Sequence, residues 1–143
     1  MNLPCPPYLE NPTHPFLNLL TPEAAHLFQW IEAYAAHKKL APPFPISICR
    51  SAETQKELQE AWDRGEREGL SARPADPETS MHVPNENGQC SAFDLGNDYK
   101  WLSEIGPAAI KNVPGARWGG LWLPPDYVHF DIQRTRVIEI RLV

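Results

Sequence analysis

The sequence lacks the features that mark several large classes of protein. It has 13 Lys and Arg against 18 Asp and Glu, a formal net charge of −5, and no run of basic residues. A protein that binds nucleic acid usually concentrates basic side chains on one surface, so we expect no nucleic-acid partner. No stretch approaches the roughly 20 apolar residues of a membrane span, so no membrane partner is expected either. The first residues have neither the basic nor the apolar region of a secretory signal, which predicts synthesis in the cytoplasm.

Cysteine is also scarce. The three cysteines, Cys5, Cys49 and Cys90, are far apart and form no Cys-x-x-Cys pair. This pattern indicates neither a cysteine zinc site nor a disulfide framework. We therefore expect free thiols.

The length of 143 residues suits one compact domain, which we expect to be a monomer. Five of the 16 prolines lie in residues 1–20. Proline fixes φ and removes a backbone donor, so regular structure is disfavoured there. The sequence predicts an extended Pro-rich arm over 1–20 and a single domain over 21–143.

Capping signals and apolar spacing predict helices. Thr21 precedes a Pro and a Glu and then apolar residues at helical spacing, which predicts a helix over 22–39. Ser51 likewise precedes a second helix over about 52–68. A third helical stretch, about 98–112, is expected to be interrupted at its internal Gly-Pro pair. The inner face of the second helix is predicted to carry Leu58, Ala61 and Trp62.

Strands are predicted before and after these helices. A short buried strand is expected at 45–50, and another at 91–95 where a long polar loop over 71–91 ends. The last third has the alternation and β-branched content of antiparallel strands, at 117–122, 127–132 and 136–143. Helices come mainly first and strands last, which indicates an α+β fold with two N-terminal helices packed on a small antiparallel sheet.

Two histidines and one aspartate are candidate metal ligands. His82 and Asp94 flank the long loop, and His129 lies on the penultimate predicted strand. Two imidazoles and a carboxylate suit Zn²⁺, and three protein ligands leave a fourth position for water, as in catalytic sites. Their spacing matches no general ligand rule, so purely structural roles are the alternative.

Asp126 and Arg50 are candidate catalytic residues. Asp126 precedes His129 by three positions, and on a straight strand these side chains would point to opposite sides. A bend at Pro124-Pro125 or in the following turn would let Asp126 act as a general base, and the alternative is a solvated turn aspartate. Arg50 follows a strand and precedes a helix, where it could stabilise an oxyanion or form a structural salt bridge with a nearby glutamate.

Four short motifs in order resemble the M15 family of zinc peptidases. That family carries Tyr/Phe-Arg-Ser, Ser-x-His, Ala-x-Asp and Glu/Asp-x-x-His. This chain has Cys49-Arg50-Ser51, Ser80-Met81-His82, Ala92-Phe93-Asp94 and Asp126-Tyr127-Val128-His129. Ahead of the last motif, Trp118-Gly119-Gly120-Leu121-Trp122 is similar to the Trp-Gly-Gly-x-Trp segment of the phage endolysin branch.

The resemblance implies a fold shared with the hedgehog signalling domain and a defined set of site residues. It implies that His82, Asp94 and His129 bind zinc. Asp126 would be the catalytic base and Arg50 would stabilise the oxyanion. Ser80 would support its neighbouring ligand through a hydrogen bond, and Trp122 would form a wall of the substrate cleft.

The same resemblance implies a peptidase that cleaves bacterial peptidoglycan stem peptides after release or export from the cell. The endolysin-like segment favours the L-Ala–D-Glu bond, with D-Ala–D-Ala carboxypeptidase or dipeptidase activity next. A catalytically silent zinc-binding module of the same fold is the alternative.

The chain departs from the family pattern in the long loop. The family spacing is His-x-x-Gly-x-Ala-x-Asp, whereas Asp94 follows His82 by 12 residues here. Cys90 takes the place of the usual glycine, and Cys49 replaces the usual aromatic residue before the arginine. Cys90 and Glu86 are therefore further candidate ligands.

Overall fold

The computed structural model describes residues 14–68 and 73–132. Within these ranges the chain forms three α-helices and a four-stranded antiparallel sheet, which confirms the expected α+β class. The helices are α1 (Pro22–His37), α2 (Ala52–Asp63) and α3 (Tyr99–Asn112), and the strands are β1 (Pro45–Ser47), β2 (Ala92–Leu95), β3 (Ala116–Trp118) and β4 (His129–Ile132). None of these helices combines the length and apolar character needed to cross a bilayer.

The sheet has the strand order β1-β2-β4-β3, and every neighbouring pair is antiparallel. Asp94 on β2 pairs with His129 on β4, and Arg117 on β3 pairs with Asp131 on β4. Successive residues of a strand point to opposite faces, so residues paired in this way share a face. The register therefore gathers four polar side chains from three strands on one face of the sheet.

The opposite face of the sheet is apolar and packs against α1 and α3. Phe93 and Phe130 stack with ring centroids 5.8 Å apart, and Phe28 of α1 meets Phe93 edge-on at 5.4 Å. All three side chains are fully buried. This core fixes the sheet from one side and leaves the polar face free to form a site.

Helix α1 begins as the sequence predicts and ends two residues earlier than expected. The side chain of Thr21 accepts a hydrogen bond from the backbone N–H of Ala24. Lys39 adopts φ of 58°, in the left-handed region, and Leu40 donates to the carbonyl of Ala35. A residue in this conformation closes the last turn, so the helix cannot extend to residue 39.

Helix α2 buries polar side chains instead of the predicted apolar ones. Gln55 and Gln59 are buried and donate to the carbonyls of Ala75 and Pro74. The expected inner residues Leu58, Ala61 and Trp62 are only partly buried. Because α2 packs on the 73–76 segment and gives no residue to the core, the predicted pair of N-terminal helices on the sheet is wrong. Helix α3 takes the second place on the sheet.

Helix α3 is continuous, contrary to the predicted interruption. Pro107 removes one backbone donor, but the helix runs from Tyr99 to Asn112. Gly106 lies directly against the ring of Trp118, and an added Cβ would come within 2.2 Å of it. Most helical stability in proteins comes from tertiary packing, and the absence of a side chain at Gly106 permits this close contact with β3.

Several predicted segments differ from the structure. Residues Pro15–Leu19 form a 3₁₀ helix with Leu17 buried, so this part of 1–20 is not an extended surface arm. Strand β1 is shorter than 45–50 and is not buried, since Ile46 is 56% exposed. The 117–122 strand is replaced by β3 and a 3₁₀ turn at Gly119–Leu121. Residues 1–13 and the predicted strand 136–143 lie outside the described residues.

A disulfide joins Cys49 to Cys90, with Cα atoms 5.6 Å apart, so the prediction of free thiols is wrong for these two. The long loop returns to the N-terminal segment, where Cys90 donates to the carbonyl of Leu19 and its own carbonyl accepts from Thr21. This pairing brings together two cysteines that are 41 residues apart. Cys90 is buried in the core and is not a metal ligand.

Candidate metal centre

Three side chains from distant parts of the chain converge on the polar face of the sheet. His82 lies in a turn that Val83 closes onto Ser80, while Asp94 and His129 face each other on β2 and β4. One potential ligand atom from each residue lies within 4.8 Å of the others. All three residues are buried, at 3%, 6% and 7% exposure. The structure thus brings together the three ligands predicted from the sequence.

The distances among the three ligand atoms fit a zinc ion. Nε2 of His82 lies 3.1 Å from Nδ1 of His129 and 3.2 Å from Oδ1 of Asp94. The remaining side of the triangle, from His129 Nδ1 to Asp94 Oδ1, is 3.5 Å. Zn²⁺ bonds nitrogen and oxygen at about 2.0–2.2 Å, and the edge of such a tetrahedron is about 3.3–3.6 Å. The triangle is therefore close to one face of a zinc coordination tetrahedron.

The orientation of His82 is fixed by a hydrogen bond from the ring nitrogen that does not face the other two candidate ligands. Its Nδ1 lies 2.8 Å from the carbonyl oxygen of Ile48. A carbonyl can only accept, so Nδ1 carries the proton and the lone pair of Nε2 faces the other two ligands. The backbone of the residue is held as well, since its N–H donates to the hydroxyl of Ser80 and its carbonyl accepts from the N–H of Arg50. Ser80 thus supports this ligand through the backbone.

His129 is held by a carboxylate that the sequence analysis missed. Its Nε2 lies 2.6 Å from Oδ2 of Asp131, which is 1% exposed. Arg117 in turn donates from Nε and Nη2 to both oxygens of Asp131, each at 2.7 Å. A signal was available, because residues two apart on a strand share a face and a predicted strand ligand therefore directs attention to the position two residues later.

Asp94 is also oriented by an outer partner. Its Oδ2 accepts from Nη2 of Arg50 at 2.9 Å, which leaves Oδ1 directed at the two histidines. Oδ1 is buried and has no donor with hydrogen-bond geometry, although both imidazoles lie near it. Burial opposes ionisation of Asp94, but His129 and His82 hold the pKa of the carboxyl well below its usual range. The carboxylate is therefore ionised and has a lone pair free for a cation.

The cluster favours a positive charge at its centre. Burial lowers the pKa of His129, but the hydrogen bond to Asp131 and the negative charges of Asp131 and Asp94 outweigh this effect and raise the pKa to about 9. The lone pairs of His82 Nε2, His129 Nδ1 and Asp94 Oδ1 converge and would repel one another without a cation between them. A proton or a metal ion can supply that charge.

Asp126 reaches the same site because the chain bends. Its carbonyl accepts from the N–H of His129, which closes a turn over 126–129, and its own N–H donates to the carbonyl of Gly119. The bend that the sequence required is therefore present. Burial raises the pKa of Asp126, and the nearby charge of Asp94 raises it further. A carboxyl with a raised pKa close to a metal site is a better proton acceptor and donor near neutral pH.

Arg50 lies at the site but points to Asp94. In addition to that ion pair, its Nη1 donates to Oε1 of Gln55 at 3.2 Å. The salt bridge is therefore with a predicted metal ligand, not with a nearby glutamate. Its proposed contact with an oxyanion stays a prediction.

The three candidate ligands line a cavity of about 370 Å³. Trp122 lines it, is 37% exposed and places its ring 4.9 Å from that of His129. The guanidinium of Arg117 lies 5.5 Å from the same indole. Glu86 is exposed on the loop and belongs neither to the cavity wall nor to the ligand cluster. The cavity is large enough for a short peptide segment.

Comparisons with protein-family models, with curated proteins and with solved structures found no match to this chain.

Proposed function

We propose that this protein is a zinc-dependent peptidase of the hedgehog and D-Ala-D-Ala peptidase type. The observation that carries the proposal is the triangle of His82 Nε2, Asp94 Oδ1 and His129 Nδ1, in which each side chain is oriented by a separate partner behind it. Outer partners of this kind are typical of built metal sites. Two imidazoles and one carboxylate at these distances fit Zn²⁺ and leave its fourth position for a water or substrate oxygen.

Zinc held by His82, Asp94 and His129 would polarise a substrate carbonyl and make water a nucleophile at neutral pH. The residues around it have separate tasks. Asp126 accepts a proton from the attacking water and returns it to the leaving amine, a role that its raised pKa supports. Arg50 holds Asp94 in place and adds positive charge beside the developing oxyanion.

The proposed substrate is a stem peptide of bacterial peptidoglycan. The motif order and the Trp-Gly-Gly-Leu-Trp segment support this, with the L-Ala–D-Glu bond favoured over D-Ala–D-Ala. Trp122 at the cavity wall supports binding of an extended peptide beside the metal site. The Cys49–Cys90 disulfide supports action outside the reducing cytoplasm, after release or export. We propose that the enzyme acts as a monomer.

The test measures metal content and bond cleavage in the same preparation. The purified protein should contain one zinc per chain and release peptides from purified peptidoglycan, and chelation should stop release until zinc is restored. Mass spectrometry of the products distinguishes a new N-terminal D-Glu from free D-Ala. Asp126→Asn should keep zinc and lose turnover about 10²- to 10⁴-fold. Glu86→Gln, which also replaces a carboxylate with an amide but lies outside the cavity, should retain full activity.

A second candidate is a catalytically silent zinc-binding module. It is favoured by the contacts of Arg50, which donates from Nη1 to Gln55 and from Nη2 to Asp94 and thus already has a structural role. Stoichiometric zinc without chelator-sensitive peptide release would support the module. A preparation that folds but does not bind zinc would exclude both candidates.

A further inference from the structure

Two side chains, the buried Asp131 and the partly exposed Arg117, lie behind His129 on the polar face of the sheet. Nε2 of His129 lies 2.6 Å from Asp131, and Arg117 holds both oxygens of that carboxylate. The three residues come from neighbouring positions of β3 and β4, since Arg117 pairs with Asp131 and His129 lies two residues earlier on the same strand. The sheet register therefore builds this arrangement.

We propose that Asp131, braced by Arg117, is the positioning residue that makes Nδ1 of His129 its metal-binding atom. The proposal rests on the zinc site of the proposed function and not on peptidase activity. An ionised carboxylate can only accept, so its contact puts the proton on Nε2 and leaves the lone pair on Nδ1. That lone pair faces His82 and Asp94.

The contact also selects one of two ring orientations. Rotation of an imidazole by 180° about its Cβ–Cγ bond exchanges each nitrogen with a carbon position. In the rotated ring, carbon would face both the carboxylate of Asp131 and the metal site. Asp131 thus disfavours the orientation that cannot bind metal as well as the wrong tautomer.

Arg117 fixes the orientation of the Asp131 carboxylate. It forms two parallel bonds to Asp131, a geometry that fixes the plane of the carboxylate and that lysine cannot reproduce. Its side chain is 40% exposed, whereas that of Asp131 is 1% exposed. Arg117 can therefore be replaced with less disturbance to the interior than Asp131.

The main experiment compares Asp131→Asn and Asp131→Leu with the parent protein. Zinc affinity, measured by competition with a chromogenic chelator, should fall about 10- to 100-fold in Asp131→Asn, the range seen for partners of metal-bound histidine, and further in Asp131→Leu. ¹⁵N-edited NMR of the zinc-loaded parent should show His129 protonated on Nε2 and His82 on Nδ1. In the Asp131 variants, His129 should no longer be protonated on Nε2 alone, whereas His82 should still be protonated on Nδ1.

A core variant separates positioning from general loss of stability. Ile105→Val removes one methylene from the fully buried interior of α3, away from the site. It should lower the melting temperature and leave zinc affinity and both imidazole spectra unchanged. Parent-like zinc affinity and an unchanged His129 spectrum in both Asp131 variants would overturn the proposal.

The Arg117 variants keep the test valid should the Asp131 variants not fold. Arg117→Gln should weaken zinc binding less than Asp131→Asn does. Arg117→Lys, which keeps the positive charge, should weaken zinc binding less than Arg117→Gln does. Equal, parent-like affinities in both Arg117 variants would refute the bracing role. A parent that binds no zinc would overturn this proposal and the proposed function together, whereas zinc binding with no peptide release would overturn only the peptidase.

Discussion

Removal of the Cys49–Cys90 disulfide should lower global stability and also the zinc affinity of the proposed metal site. The two cysteines are 41 residues apart in sequence. A cross-link that closes a loop of this length is worth about 4 kcal/mol in the chain-entropy treatment, and typical measured values are about 2–4 kcal/mol. For a chain of about this size, each kcal/mol shifts the melting temperature by about 2–4 °C. The expected loss is therefore on the order of 10 °C.

We expect the same bond to have a local effect at the proposed metal site. Cys49 lies between Ile48, whose carbonyl orients His82, and Arg50, which orients Asp94. Loss of the cross-link frees this segment from Cys90 at the entry to β2, so both outer contacts should become less well fixed. Zinc affinity should fall together with stability.

The assay uses urea denaturation with and without reductant, in a Cys5→Ser background that excludes disulfide exchange. The denaturation midpoint of the parent should shift to a lower urea concentration on reduction. A Cys49→Ser, Cys90→Ala double variant should have the midpoint of the reduced parent, with or without reductant. Titration should find two thiols only after reduction. Two reactive thiols in the unreduced, unfolded protein, or an unchanged denaturation midpoint on reduction, would refute the reasoning.

Three further changes test other parts of the structure. Gly106→Ala places a methyl group against the ring of Trp118 and should destabilise the fold by about 1–2 kcal/mol in urea, because overpacking outweighs the helical preference of Ala; greater stability would contradict this packing. Gln55→Leu removes one of two partners of Arg50 and the donor to the carbonyl of Ala75, and it should cost about 1–3 kcal/mol of stability in the same urea denaturation curves by leaving these groups unpaired. An unchanged stability would contradict the assigned contacts. Burial lowers the pKa of His129, but its carboxylate partners raise the pKa to about 9, so zinc affinity should rise as the pH approaches that value. Calorimetry of zinc binding at pH 7, in buffers of different ionisation enthalpy, should detect the release of about one proton. A binding enthalpy that does not depend on the buffer would contradict this prediction.

The sequence was most informative where local chemistry decides structure. Thr21 and Ser51 cap helices as predicted, because their hydroxyls accept from backbone donors within the same turn. The grouping of His82, Asp94 and His129 could be predicted from ordered motifs, although not from their spacing. A prediction based on apolar spacing failed for α2, because its buried face is made of glutamines whose partners are carbonyls of another segment.

Long-range pairing accounts for what the sequence could not supply. The contact of the N-terminal segment with Cys90 depends on a parallel bridge between Leu20 and Cys90, and no local pattern around either residue indicates it. The same pairing fixes the backbone of Cys90, which is joined to Cys49. Arg117 faces Asp131 only because β3 pairs with β4 in one particular register, and a shift by one residue would turn one of them to the opposite face.

The separation of 12 residues between His82 and Asp94 is compatible with their convergence, because the loop between them is closed at its base. Ser91 donates to the carbonyl of Met81 at 2.9 Å, so the chain leaves and re-enters the site at adjacent points. His82 is held by Ile48 and Arg50, which lie outside the loop, and Asp94 is held within β2. The positions of the ligands therefore depend on the sheet, the 48–50 segment and the turn over 80–83, and we expect that residues 84–89 can vary in number without moving them.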